Sequence, residues 1–247
     1  MPAYDFRSPR LFVDAPLAEG TEIALKSGQA HYLVHVLRLK AGHRLLVFNG
    51  RDGEWEAHIE GSHRGARLTV GARLRAQTTA GDLHYLFAPL KAARLDYMVQ
   101  KAVEMGASRL QPIITRHVQV ARIKEDRVRA NAIEAAEQCG ILALPEIAPP
   151  QPFARFMAER DAGRVLVFCD ERAEIENPLA ALAAIKPHTP LAVLIGPEGG
   201  FAEEERAALL KAPNVLRLAL GPRVLRADTA AVAALALVQA AVGDWGR

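Results

Sequence analysis

Two rhythms of apolar and polar positions divide the chain. From residue 11 to 75 the apolar runs are short and closely spaced: "RLFVD", "RLLVFNG", "EWEAHIEG" and "ARLTVGARL". Short runs bounded by glycine-rich turns predict strands. The "NG" and "DG" of "NGRDGE" predict a hairpin between two of them. The expectation is a small β-barrel or sheet. Within it "HYLVHVLRLKAG" predicts a short helix with Gly42 past its end, and "AQTTAGD", residues 76–82, reads as a linker.

Beyond the linker the pattern changes to strand, helix, strand, helix. Apolar runs that predict strands are "LHYLF", "LQPII", "RVLVF", "LAVLI" and "VLRLAL". Helical spacing predicts helices at about 92–105, 124–139, 177–186, 202–211 and 229–242. Continuous apolar strands alternating with amphipathic helices imply a parallel α/β sheet covered on both faces. Ligands of such sheets bind where the strands end. In "RLDYMVQKAVEMG", Leu95, Met98, Val99, Ala102 and Val103 form an apolar stripe that Gly106 closes. Arg94, Tyr97, Lys101 and Glu104 share another stripe, and Glu134, Glu137 and Gln138 cluster on a later helix.

Two strand exits carry unusual chemistry. "LIGPEGGFAEEE", 194–205, breaks at Gly196-Pro197, turns through Glu198-Gly199-Gly200 and enters a helix headed by three acids. Paired glycines let a ligand approach the main chain. No phosphate-loop or dinucleotide fingerprint occurs, and Glu203, Glu204 and Glu205 at the helix head repel an anion. The loop fits a neutral or cationic ligand held mainly by backbone groups. "LGPRVLRADTA" repeats the Gly-Pro exit and adds Arg223, Arg226 and Asp228. If the two strands are neighbours, both loops face one crevice. The bland alternative has the arginines capping loops or bridging to Glu198 or Asp228.

Composition narrows the classes. The 247 residues are half hydrophobic and about a quarter charged, ordinary for a globular protein. The first residues contain no continuous apolar run, so no signal peptide is expected. "AAVAALALVQAAVG" is too short to span a bilayer. Cys139 and Cys169 stand far apart, which argues against zinc or dithiol spacing and for two buried thiols in a reducing cytoplasm. Net charge is +3 with a pI near 9.0. Residues 91–130 hold nine Lys/Arg against four acids, and five of the eight histidines (31, 35, 43, 58, 63) fall in the first 63 residues. A basic, histidine-rich face is an RNA-contact candidate. No Ser-His-Asp set, H-E-x-x-H helix or carboxylate ladder supports hydrolysis or metal catalysis.

Five stretches carry a family resemblance: "HYLVHVLRLKAG", "KAARLDYMVQKAVEMGASRLQPI", "AIEAAEQCGILALPEI", "LIGPEGGF" and "LALGPRVLRADTA". With these the chain resembles the ribosomal RNA small subunit methyltransferase E family of the SPOUT class. The resemblance implies a PUA-like β-barrel RNA-binding domain (1–75) and a SPOUT methyltransferase domain (76–247) with a parallel sheet and a C-terminal trefoil knot. It implies a cytoplasmic homodimer without metal. The implied reaction is S-adenosylmethionine-dependent methylation of N3 of one uridine of 16S ribosomal RNA in the 30S subunit, position 1498 in the usual numbering.

For site residues it implies Arg226, Glu198 and Asp228 as catalytic. Leu194, Gly196, Glu198, Gly199, Gly200, Leu220, Gly221, Val224, Leu225 and Arg226 are implied to hold the cofactor. Candidate RNA contacts are Arg7, Arg10, His35, Arg38, Lys91, Arg94, Lys101, Arg116 and Arg223. Arg226 is expected to stabilise the uracil anion; Glu198, Asp228 and Glu137 are candidate bases. Two positions depart from the family pattern: Ile141 stands where the family often has Arg, and Asp228 where it usually has Glu. Rival readings are a catalytically silent RNA-binding or assembly factor and a ribose 2′-O-methyltransferase.

Overall fold

The structure is a computed structural model that describes residues 5, 7–61, 65–120, 122–174, 177–186 and 189–245. His63 of the histidine-rich segment lies outside the described residues. The chain forms two compact units, one of residues 1–79 with 136–143 and one of residues 80–135 with 144–247.

The first unit is a five-stranded sheet in the order β1-β3-β4-β5-β2. Its strands are β1 (Arg10–Phe12), β2 (Glu22–Ala24), β3 (Arg44–Phe48), β4 (Glu54–Glu60) and β5 (Arg67–Arg75). β1 and β2 are its edges, and β2 has no counterpart among the runs picked out from sequence. The "NGRDGE" hairpin joins β3 to β4 antiparallel, pairing Phe48 with Glu54. Asn49 makes the turn, its Oδ1 accepting from the N–H groups of Arg51 and Asp52 at 2.9 Å each. Leu45, Val47, Ala57, Ile59, Leu68 and Val70 alternate inward to form the core, with Leu33 seated on them. The short helix starts earlier than its apolar pattern indicates, as α1 (Ser27–His31) running into a π-helical turn, Tyr32–Val36. Gln29 fixes that start by accepting from Lys26 N. The helix is over before Arg38, which sits at φ 55, so Gly42 belongs to a later turn.

In the second unit every strand pairing is parallel, in the order β12-β10-β11-β6-β7-β8, with β9 also on β7. The strands are β6 (Leu83–Phe87), β7 (Arg109–Ile114), β8 (Glu146–Ile147), β9 (Gln151–Pro152), β10 (Val165–Cys169), β11 (Leu191–Ile195) and β12 (Val215–Leu218). The helices are α2 (Ala92–Glu104), α3 (Glu125–Cys139), α4 (Phe153–Glu159), α5 (Pro178–Ala183), α6 (Glu203–Lys211) and α7 (Ala227–Ala241). On one face Phe153 and Phe156 of α4 and Leu209 of α6 pack on Leu86, Leu166, Phe168, Ala192 and Leu194. α2 packs beside α7. The stripe Leu95, Met98, Val99, Ala102 and Val103 is the buried face of α2. Gln239, buried on α7, donates to the carbonyl of Met105 at 2.7 Å, supplying an acceptor-satisfying cap where α2 ends. With all strands parallel, their C-terminal ends share one edge.

One thiol expectation is corrected. Cys139 is exposed, on the solvent side of the last turn of α3. Cys169 is half-buried, and desolvation pushes its thiol up to about 12, the behaviour of an inert structural thiol.

Candidate active site

The two Gly-Pro loops follow β11 and β12, and these strands are not neighbours: β10 lies between them. The loops nevertheless meet, because the exit of β10 fills the gap. A cleft of about 680 Å³ is lined by Cys169–Arg172 after β10, Ile195–Phe201 after β11 and Leu218–Ala227 after β12, with Arg94 of α2 and Ala230 of α7. The volume falls in the range of ligand sites, about 300–1,000 Å³.

The local sequence shapes each wall. At Gly196 a Cβ would lie 2.5 Å from Cε2 of Phe201, so only glycine lets that ring fold back under its own loop. The ring is then held against Phe168, centroids 5.3 Å apart, and Phe153, 5.9 Å apart. Gly200 and Gly221 take φ of +72 and +96, a region that costs other residues steric strain. His117, in the turn after β7, meets the Gly200 carbonyl through Nδ1 at 3.1 Å.

The three acids at the head of α6 do structural work. Glu205 accepts from Ala202 N at 3.0 Å and from Arg116 N at 2.9 Å. Glu204 pairs with the Arg116 side chain, and Glu203 with Arg172 at 3.1 Å.

The floor of the cleft rests on Asp170, 2 % exposed. Its carboxylate accepts from Arg206 of α6 at 2.9 Å, from Arg217 Nε of β12 at 3.1 Å and from Arg172 N at 3.1 Å. Burial raises its pKa, but the bonds from Arg206, Arg172 N and Arg217 outweigh burial and leave it below the usual carboxylate value. One buried acid thus ties the central strand exit to the helix that follows one glycine loop and the strand that precedes the other.

Of the cofactor set read from sequence, Gly196, Glu198, Gly199, Gly200, Leu220, Gly221, Val224, Leu225 and Arg226 line the cleft. Leu194 does not: it is fully buried in β11, in the core. Arg223 and Arg226 are both on the wall, exposed, and among the described residues no acid pairs with either. Neither bridges to Glu198; Arg94 does. Asp228 is absent from the lining, half-buried in the first turn of α7, with Oδ1 accepting from Thr229 N at 2.9 Å. Glu137 is likewise elsewhere, its Oε1 accepting from Phe12 N at 2.8 Å in the first unit.

The basic residues separate by environment. Arg10 cannot face a ligand: it is 6 % exposed, bonded through Nε to Glu54 at 2.7 Å and through its guanidinium to the carbonyls of Ala136, Glu137 and Ile141. Ile141 thus serves through its backbone oxygen. Arg7, His35 and Arg38 are exposed in the first unit, His35 with its ring 4.9 Å from that of His31. In the second, Lys91 is the exposed N-cap of α2, Lys101 binds Glu104 at 2.7 Å over the Tyr97 ring, and Arg116 is exposed beside Glu204. Sequence reasoning missed Asp170, Glu171, Arg172, Phe201 and His117. The third exit, "VLVFCDERA", is itself an apolar run ending in charge, the one signal that pointed to it.

Known proteins resemble this chain over most of its length. The RNA methyltransferase domain matches residues 77–239 and the RNA methyltransferase PUA domain residues 25–71. A ribosomal RNA small subunit methyltransferase E of Rickettsia conorii is 29 % identical over 93 % of this chain and 94 % of its own. A Legionella pneumophila protein described as a methyltransferase, solved with bound S-adenosylmethionine, superposes with a TM-score of 0.85 at 29 % identity, covering 96 % of this chain and 98 % of its own. A ribosomal RNA small subunit methyltransferase E of Neisseria gonorrhoeae, bound to S-adenosylmethionine, shares the fold at a TM-score of 0.84 and 23 % identity, covering 97 % of this chain and all of its own. With one domain matched over more than half its length and a second matched ahead of it, the chain belongs to the RNA methyltransferase family.

Proposed function

We propose that the protein methylates N3 of one specific uridine of 16S ribosomal RNA in the 30S subunit, using S-adenosylmethionine. The observation that carries this reading is the cleft: backbone-rich glycine walls beside two arginines that have no acid partner among the described residues. The residues present fit the cofactor. The glycine loops would offer main-chain groups to the cofactor, and Leu220, Val224 and Leu225 would offer apolar surface to its adenine. When bound, S-adenosylmethionine supplies a methyl group activated on a sulfonium. A ligand of that charge leaves Arg223 and Arg226 for the RNA.

N3 of uracil carries a weakly acidic proton, so the protein must stabilise an anion and accept a proton. Arg226 supports the developing charge, as a fixed cation beside the ring. Arg223 holds phosphate. Glu198 takes the proton: of Glu137, Glu198 and Asp228 it alone lines the cleft. The uridine must leave its stack to reach these groups. The exposed Arg7, His35, Arg38, Lys91 and Arg116, with Lys101, are the remaining RNA contacts. The proposal includes the C-terminal trefoil knot, a cytoplasmic site of action and a homodimer, for which Trp245 at 53 % exposure supplies apolar surface. Among the described residues no helix is long and apolar enough to cross a membrane.

The test uses methyl-labelled cofactor and small subunits lacking the modification, followed by nucleoside mass analysis. Label in 3-methyluridine is the expected result, abolished in Arg226→Met. Label in a ribose-methylated nucleoside overturns the target atom, and no label overturns the reaction.

A further inference from the structure

An ion pair joins α2 to the first glycine loop in the lining of the cleft. Arg94, in the first turn of α2, pairs with Glu198 of the first glycine loop. Both side chains stay partly open, at 39 % and 32 % exposure. The first turn of α2 holds no acid of its own, and Lys91 precedes it as N-cap. Asp96, further along, is bonded to Arg127 and Asn131. Among the described residues, Glu198 is therefore the acid that neutralises this helix head. Arg223 and Arg226, in the loop after β12, have no acid partner among the described residues.

We propose that the Arg94–Glu198 pair is a latch that the phosphodiester backbone of the substrate RNA opens. This rests on the RNA reading above and names how that substrate gains entry. A part-exposed ion pair is weak, worth about a two- to fivefold factor in an equilibrium. A phosphate competes well for the guanidinium, because it accepts a bidentate pair of hydrogen bonds and releases counterions on binding. Lys91 and the positive end of the α2 dipole add to its attraction. Exchange of carboxylate for phosphate then has two effects. It anchors the RNA to α2, and it frees the Glu198 carboxylate inside the cleft. The proton leaving N3 passes to a Glu198 oxygen that was held by Arg94 until the RNA arrived. The carboxylate is masked without substrate and bare with it.

The test is binding of the full-length protein to unmodified small subunits across a salt series, with Glu198→Gln, Arg94→Gln and the double variant. If the latch exists, Glu198→Gln binds the subunits about two- to fivefold more tightly than wild type, since Arg94 no longer has to leave an acid. Arg94→Gln binds more weakly and lowers the salt slope by about one. The double variant binds like Arg94→Gln. A Glu198→Gln protein that binds no tighter overturns the latch, as does a gain of the same size in the Arg94→Gln background, which would be general loss of negative charge. Melting curves for each variant exclude misfolding as the cause. Failure of the wild-type protein to bind subunits overturns the RNA reading, and the latch with it. Wild-type binding without the Glu198→Gln gain overturns the latch alone.

Discussion

Arg10 shows how far a residue's role depends on partners distant in the chain. At the start of a strand, three residues from Arg7, it has the local look of a solvated cation. In the fold it is buried against Glu54, 44 residues away, and Glu54 is bound from its other side by Arg75 at 2.6 Å. Removing one member of a buried charge cluster strands the others without solvent, typically at about 3–5 kcal/mol. Arg75 remains on Glu54, so Arg10→Met is expected to cost about 3 kcal/mol in urea unfolding. Arg7→Ala, at an exposed site, is expected to leave stability unchanged within about 0.5 kcal/mol. Equal and small losses for both would mean that Arg10 is solvated after all. The glycine motifs were readable because their chemistry is local: Gly196 meets Phe201, five positions on. The roles of Arg10 and Leu194 were hidden, because burial is decided by packing that no short window contains.

At the scale of elements, the apolar runs located the five long strands of the parallel sheet and the helices between them. What they missed is short: β8 and β9 have two residues each, β2 three, and α4 is a seven-residue helix after a proline-rich stretch. Segments of that length hold too few apolar positions for a period to stand out from its surroundings. Strand order was also out of reach, since each apolar run suits any interior place in a parallel sheet. Yet the order is what brings Asp170 to the middle of the cleft, tied to α6 and β12.

Asp170→Asn is therefore expected to loosen both glycine loops, costing about 2 kcal/mol at pH 7 through the lost charged hydrogen bonds. The pH dependence follows from the lowered pKa. A carboxylate that titrates lower in the folded than in the unfolded chain contributes stability above its unfolded value, 3.8, and loses it as pH falls through the folded one. The gap between wild type and variant in urea titrations should stay constant from pH 7 to about pH 4 and close below that. A gap that does not begin to narrow below about pH 4 would show that the carboxylate charge is not what the arginines need.

At the scale of the molecule, the first compact unit is not a continuous piece of chain. Residues 136–143 belong to it along with 1–79. Their contribution is mostly backbone. Carbonyls of Ala136, Glu137 and Ile141 accept from Arg10, the carbonyl of Gly140 accepts from Arg75 at 2.9 Å, and the Glu137 side chain accepts from Phe12 N. A fragment ending at residue 79 would keep both arginines and lose all these acceptors. Each buried donor left without a partner costs about 1–3 kcal/mol, against a total stability of about 4–12 kcal/mol for a unit of this size. The fragment 1–79 is expected to show no cooperative thermal transition by circular dichroism and poor amide dispersion by NMR, whereas the intact chain melts cooperatively. A cooperative melt of the fragment at the temperature of the intact chain would make residues 136–143 dispensable. The reason for the expected failure lies in hydrogen-bond supply. The β-sheet carries two arginines and an edge N–H aimed at one distant segment, and an independent domain would have to satisfy them from within its own continuous chain.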